Sequence, residues 1–110
     1  MTVEITVDGK THLFTIAGDV DLKSSPRLRE KLREAIKAGA KAILLDMSQC
    51  PYIDSSGIAT LVEALQGLKG AGGKLAIAGA SQRVKDIFEI AHLDGIFAIF
   101  ERLEEAKASL

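Results

Sequence analysis

The chain has little with which to cross-link itself, enter a membrane or attack a substrate. Its single cysteine, Cys50, excludes an internal disulfide and fits a reducing compartment. Cys50 sits beside Pro51 with neither histidine close in sequence, which argues against a nucleophilic thiol. Aromatic residues make up only 5% of the chain against 47% hydrophobic residues, so the expected core is aliphatic. No apolar run approaches the roughly 20 residues that span a bilayer. The opening Met-Thr-Val-Glu-Ile has neither the charged nor the hydrophobic region of a secretion signal, and the expected location is the cytoplasm. A net charge of −1 gives no general reason to bind nucleic acid or an anionic membrane. Repeats, linkers and low-complexity segments are missing too, and 110 residues suit one domain, residues 1–110, with one core.

What is present alternates between two periods. Val3, Ile5 and Val7 interleave with polar residues as in a half-buried strand, and Asp8-Gly9 is a hairpin turn leading to a second strand through Leu13, Phe14, Ile16 and Ala17. After the loop Asp19-Val20-Asp21-Leu22, Ser25 as cap and Pro26 as first residue announce a helix with Leu28, Leu32, Ala35 and Ile36 on one face, ended by Gly39. Ala42 to Met47 is apolar except for Asp46, which predicts a central strand covered on both faces. A second helix follows Tyr52 and buries Ile58, Leu61, Val62, Leu65 and Leu68 before Gly70, Gly72 and Gly73 stop it. Leu75 to Ala78 predicts another buried strand. The third helix, opened by Gly79-Ala80-Ser81, is expected to bury Val84, Ile87, Phe88 and Ala91 and to end near Asp94-Gly95. Ile96 to Phe100 reads as a last strand, and Leu103 and Ala106 mark a short tail helix. The order ββαβαβαβα implies an α/β domain: a mixed, mostly parallel sheet with an N-terminal antiparallel hairpin, packed against helices. Right-handed crossovers then gather the loops Asp19–Ser24, Ser48–Ser55 and Gly79–Ser81 along one sheet edge, where α/β sheets commonly bind ligands and partners.

Enzyme chemistry finds little support. A nucleophile elbow at Ser55 would need glycine at position 53, which is Ile53, and neither His12 nor His92 is placed to serve as base. Asp21, Asp46 and Asp54 form no motif with metal-ligand spacing. The Gly70–Gly73 cluster precedes a strand, whereas a phosphate-cradling loop precedes a helix. No catalytic residue, metal or cofactor is therefore expected. Two charge runs, seven basic and two acidic residues in Lys23–Lys41 and six acidic and two basic from Asp86 onward, read as solvated helix faces.

The informative stretch is Tyr52 to Leu61, Y-I-D-S-S-G-I-A-T-L. Asp54 can cap the second helix, leaving Ser55 and Ser56 in a first turn whose N–H groups are unpaired and whose dipole is positive. A hydroxyl held there is placed to carry a phosphate, although an ordinary capped helix start explains the same residues. Ser56, Thr60, Glu63 and Gly67 recur at three- and four-residue spacing, a stripe opposite the buried leucines. Gly67 either frays the helix ahead of its stop or lets another backbone approach; with the exposed serines beside it, the stripe is expected to be a docking surface.

Gly18-Asp19-Val20-Asp21, Leu45-Asp46-Met47-Ser48, Ile53-Asp54-Ser55-Ser56-Gly57-Ile58 and Gly72-Gly73-Lys74-Leu75 together resemble a STAS domain of the stand-alone anti-sigma-factor antagonist type, over nearly the whole chain. The resemblance implies partner switching rather than catalysis. The unmodified antagonist binds an anti-sigma factor that is also a GHKL-type serine kinase, phosphorylation with ATP ends the interaction, and a serine phosphatase restores it. It further implies that Ser55 is the modified residue, with Ser56 as the fallback, and that the loop holding Asp19 and Asp21 lies beside it. The expected partner-binding set is Asp19, Asp21, Asp54, Ser55, Ser56, Gly57, Thr60, Glu63 and Gly67. Asp19 stands where the family often has glutamate, which keeps the charge. Two competing readings use the same fold: an unphosphorylated STAS subunit of a lipid-transport ABC or signalling complex, and a nucleotide-binding STAS module.

Overall fold

Five strands lie side by side in the order in which the chain makes them. The computed structural model describes residues 1–110, with β1 Thr2–Asp8, β2 Thr11–Ala17, α1 Ser25–Lys37, β3 Ala42–Gln49, α2 Ser55–Gly70, β4 Lys74–Ala78, α3 Gln82–Ile90, β5 Ala98–Phe100 and α4 Leu103–Ala108. The sheet order is β1-β2-β3-β4-β5, antiparallel between β1 and β2 and parallel elsewhere. Because the order never reverses, crossovers of one hand put α1, α2 and α3 on the same face. Their apolar sides close on Phe14, Ile16, Ile43, Leu45, Met47 and Ile77 to form the main core. The opposite face receives α4, whose buried Ala106 meets Leu44, Ala76 and Ala78. β3 is thus covered on both sides, as its apolar run requires.

The expected architecture holds, with four local corrections. β1, an edge strand paired only with β2, is not half-buried: Val3 is partly covered, but Ile5 and Val7 are exposed. The N-cap of α1 is Ser24, not Ser25, and Pro26 is its second residue. Ser25 is buried, drawn inward by a hydrogen bond to Ser56 Oγ at 3.2 Å. α3 ends at Ile90, and Ala91 is exposed rather than buried. There the chain reverses through a paired-bond cap, with Leu93 N–H donating to Phe88 O and His92 N–H to Glu89 O. The last strand begins at Ala98 rather than Ile96, because Phe97 turns into the core and sets its ring 5.4 Å from that of Phe88.

The same cap ends α1 at Gly39 and α2 at Gly72, both at positive φ, while α3 places His92 at φ 60° in the equivalent position. A side chain in the left-handed region is strained by its own Cβ, and glycine is not. His92→Gly is therefore expected to raise unfolding stability by about 0.5–1 kcal/mol, and Gly39→Ala to lower it by a similar amount. Urea titrations of the two variants check the opposite signs.

Candidate functional site

The loops after β2 and β3 are joined by two rungs of parallel pairing. Val20 N–H donates to Tyr52 O and Asp54 N–H to Val20 O, each at 3.0 Å, forming an isolated bridge between Val20 and Ile53. Both side chains are buried, so the short G-D-V-D loop is anchored by its valine while Asp19 and Asp21 flank it. Gly57 sits directly above this pair. A Cβ there would lie 2.5 Å from Ile53 Cγ1 and 2.8 Å from Val20 Cγ1, so glycine is what lets the first turn of α2 descend onto the bridge.

Asp54 caps α2. Its Oδ1 accepts from Ser56 N at 2.9 Å, Gly57 N at 3.1 Å and Ser56 Oγ at 2.6 Å. The Ser56 hydroxyl, then the Gly57 amide, favour the ionised carboxylate and hold its pKa below the ordinary value. Asp21 does the same for the neighbouring loop. It accepts from Ser24 N and Lys23 N at 3.0 Å, and the Ser24 amide is the leading cause of its lowered pKa, opposed mainly by desolvation and least by the charge of Asp54.

The two serines of the first turn have different fates. Ser56 is half-buried, donating to Asp54 and accepting from Ser25. Ser55 is exposed at the first helical position, and its hydroxyl makes no side-chain hydrogen bond within the protein. Of the two, only the Ser55 hydroxyl is free of an internal partner.

The stripe Ser56, Thr60, Glu63 and Gly67 does not face outward as expected. It faces α1. Thr60 is 6% exposed and bonded to Ser56 O. Glu63 is held by Arg29 and Arg33 of α1, with N–O distances of 2.5 Å to each. A Cβ on Gly67 would meet Ile36 of α1 at 3.3 Å, so the small residue serves close packing of α1 against α2. The stripe is therefore engaged with α1 rather than standing clear of it, while Ser56, Thr60 and Glu63 still line a surface hollow between the two helices.

A family model of the STAS domain matches residues 2–106. The chain belongs to the STAS domain family. Among its curated relatives, the anti-sigma-B factor antagonist of Bacillus subtilis is 36% identical over 91 residues, covering 81% of each chain. That of Staphylococcus aureus is 28% identical over 104 residues, covering 94% of this chain and 96% of its own. The fold is also that of the anti-sigma factor antagonist SpoIIAA in its unphosphorylated form, with TM-score 0.86, 21% identity, and coverage of 98% of this chain and 95% of that one. The Bacillus cell fate determinant SpoIIAA in the phosphorylated form gives TM-score 0.78 and 22% identity, covering 98% of each chain.

Around the STAS D-S-S-G turn, the structure adds residues that sequence reasoning passed over. Leu22, 76% exposed, lines a surface hollow with Ser25, Ser56 and Ala59 between the starts of α1 and α2. Arg83, near the start of α3, lies over the Tyr52 ring with its guanidinium 4.9 Å from the centroid. Arg29 and Arg33 stand four apart on α1, a spacing that hinted at a shared target, but Glu63 lies 34 and 30 residues away in sequence. His12 lies in β2 near the hairpin and His92 beyond the end of α3, neither against Ser55, as expected.

Two outcomes test this geometry. Gly57→Ala forces a methyl group between two buried side chains and is expected to destabilise the domain by about 1–3 kcal/mol, measured by chemical denaturation. Asp54 has a lower pKa folded than unfolded, so its charge contributes stability above about pH 4, and this is lost as pH falls through the folded pKa. The stability difference between wild type and Asp54→Asn should be constant near neutrality and shrink below about pH 4. A difference that grows on acidification would contradict the assignment.

Proposed function

We propose that this protein is a cytoplasmic anti-sigma-factor antagonist that acts as a partner switch, with the modification state of Ser55 as its signal. The observation that carries this reading is the contrast between the free, exposed Ser55 hydroxyl and the tethered Ser56 one turn position later. The relatives named as anti-sigma-B factor antagonists and the two SpoIIAA states support it. The partner is an anti-sigma factor with GHKL-type serine kinase activity, and a serine phosphatase reverses the modification. The protein itself contributes binding and no catalysis.

A phosphate on Ser55 adds about −1.5 to −2 charges and three acceptor oxygens. The start of α2 favours that charge by roughly 0.3–1 kcal/mol. Asp54 and Asp21 oppose it by amounts of similar order at a solvated surface. The isolated domain therefore keeps its fold, and the effect is felt under a partner. Burying the added charge without a counter-ion costs about 3–5 kcal/mol, a loss of roughly two to four orders of magnitude in affinity. The contact surface is the rim formed by Asp19, Asp21, Leu22 and Ser55, with Asp54, Ser56 and Gly57 shaping it from beneath. Thr60, Glu63 and Gly67 act through the packing of α1 on α2.

With a cognate anti-sigma kinase and ATP, intact mass should show the gain of one phosphate on wild type and none on Ser55→Ala. Titration calorimetry should find Ser55→Ala binding as tightly as unmodified wild type and Ser55→Asp at least about 100-fold more weakly. Equal affinities for the two variants would refute the switch.

A further inference from the structure

Five lysines scattered through the sequence meet at the end of the domain opposite Ser55. Lys10, Lys41 and Lys74 stand at the starts of β2, β3 and β4 and are neighbours through the backbone. Lys41 N–H donates to Lys10 O at 2.8 Å and Lys74 N–H to Lys41 O at 2.9 Å. Helices run against the parallel strands, so the last turns of α1 and α2 bring Lys37 and Lys69 to the same end. All five are exposed and none forms a salt bridge, although Lys41 Nζ donates to Ala71 O at 2.6 Å; at the other end of the strands Asp19, Asp21 and Asp54 are interspersed with Lys23, Arg27 and Arg83. Asp8, which shares a hollow with Lys107, and Glu89 and Asp94 at the end of α3 are at the lysine end too, and fewer in number than the lysines there. Exposed aliphatic side chains accompany the lysines: Val7 near the hairpin tip, and Ile96 and Leu110 beside Lys69 and Lys74.

We propose that this end of the domain docks on an anionic lipid surface. The five lysines come from five separate strand starts and helix ends spread over one end of the molecule, only Lys69 and Lys74 sharing a hollow, and aliphatic side chains flank them. That arrangement suits a planar array of acidic headgroups better than a single acidic peptide. No helix is long and apolar enough to cross a membrane, so the contact is peripheral. Each lysine close to an anionic leaflet strengthens binding about fivefold, and the attraction decays within a Debye length of roughly 8–10 Å. The molecule measures 32 × 28 × 23 Å, so the Ser55 rim lies beyond the reach of that field and stays open to solution. Docking and the Ser55 switch are then independent, and either can fail without the other.

The test is co-sedimentation of the full chain with vesicles of phosphatidylglycerol and phosphatidylcholine, against phosphatidylcholine alone, at low and high salt. Binding is expected only to the anionic vesicles and is lost at about 0.5 M salt, where screening is strong. The triple variant Lys10→Gln, Lys41→Gln, Lys74→Gln should bind about 100-fold more weakly. Lys37→Gln with Lys69→Gln, a second set that avoids the strand starts, should lose about 25-fold. Lys85→Gln, on α3, and Ser55→Asp should bind like wild type. Circular dichroism melts confirm that each variant is folded. No binding to anionic vesicles at low salt, binding that both lysine sets leave unchanged, or capture by soluble polyglutamate without capture by vesicles would each overturn the proposal.

Discussion

The site depends on one short piece of parallel pairing, the Val20–Ile53 bridge under Gly57. Loops after parallel strands have no ladder to hold them, and here two backbone hydrogen bonds and two buried side chains supply one. The bridge sets the height of Asp54, whose carboxylate then collects the first amides of α2. Removing the glycine's hydrogen-sized footprint would lift that turn off the pair. Presentation of Ser55 is a consequence of packing beneath it, not of the serine itself.

A sheet whose strands follow one another without reversal has no crevice produced by its topology. Function on such a scaffold has to be built on an edge from loop residues, and at this edge most polar groups are already spent on structure. Asp21 folds its own loop, Asp54 caps α2, Ser56 is shared between Asp54 and Ser25, and Glu63 is clamped by Arg29 and Arg33. Against that background, the Ser55 hydroxyl, like that of Ser48 at the end of β3, is exposed with no internal partner, and Leu22 in the loop after β2 is exposed as well. The STAS relatives of this chain include proteins named anti-sigma-B factor antagonists.

Legibility followed the range of each interaction. The strand character of β1, the unbroken apolar run of β3 and the cap at Asp54 are properties of a few neighbouring residues and are legible directly, whereas the burial of β1 is not, since Ile5 and Val7 are exposed. The end of α3 is not legible locally because histidine occupies a position where glycine is the usual signal. The stripe on α2 was turned the wrong way for a related reason. Small and polar residues at helical spacing look like a solvent face, yet here they admit the close approach of α1, with its arginine pair answering the glutamate.

By itself, the sequence determined the element order, the layered α/β architecture, the aliphatic core and the D-S-S-G turn with its capping aspartate, because periodicity, turn chemistry and capping act over one or two turns of chain. Only the tertiary structure decided which serine is free, which face of α2 is covered, and that the lysines gather at one end of the domain. Those outcomes depend on residues some 30 positions apart, whose meeting is set by the crossovers and strand register and leaves no local mark in the chain.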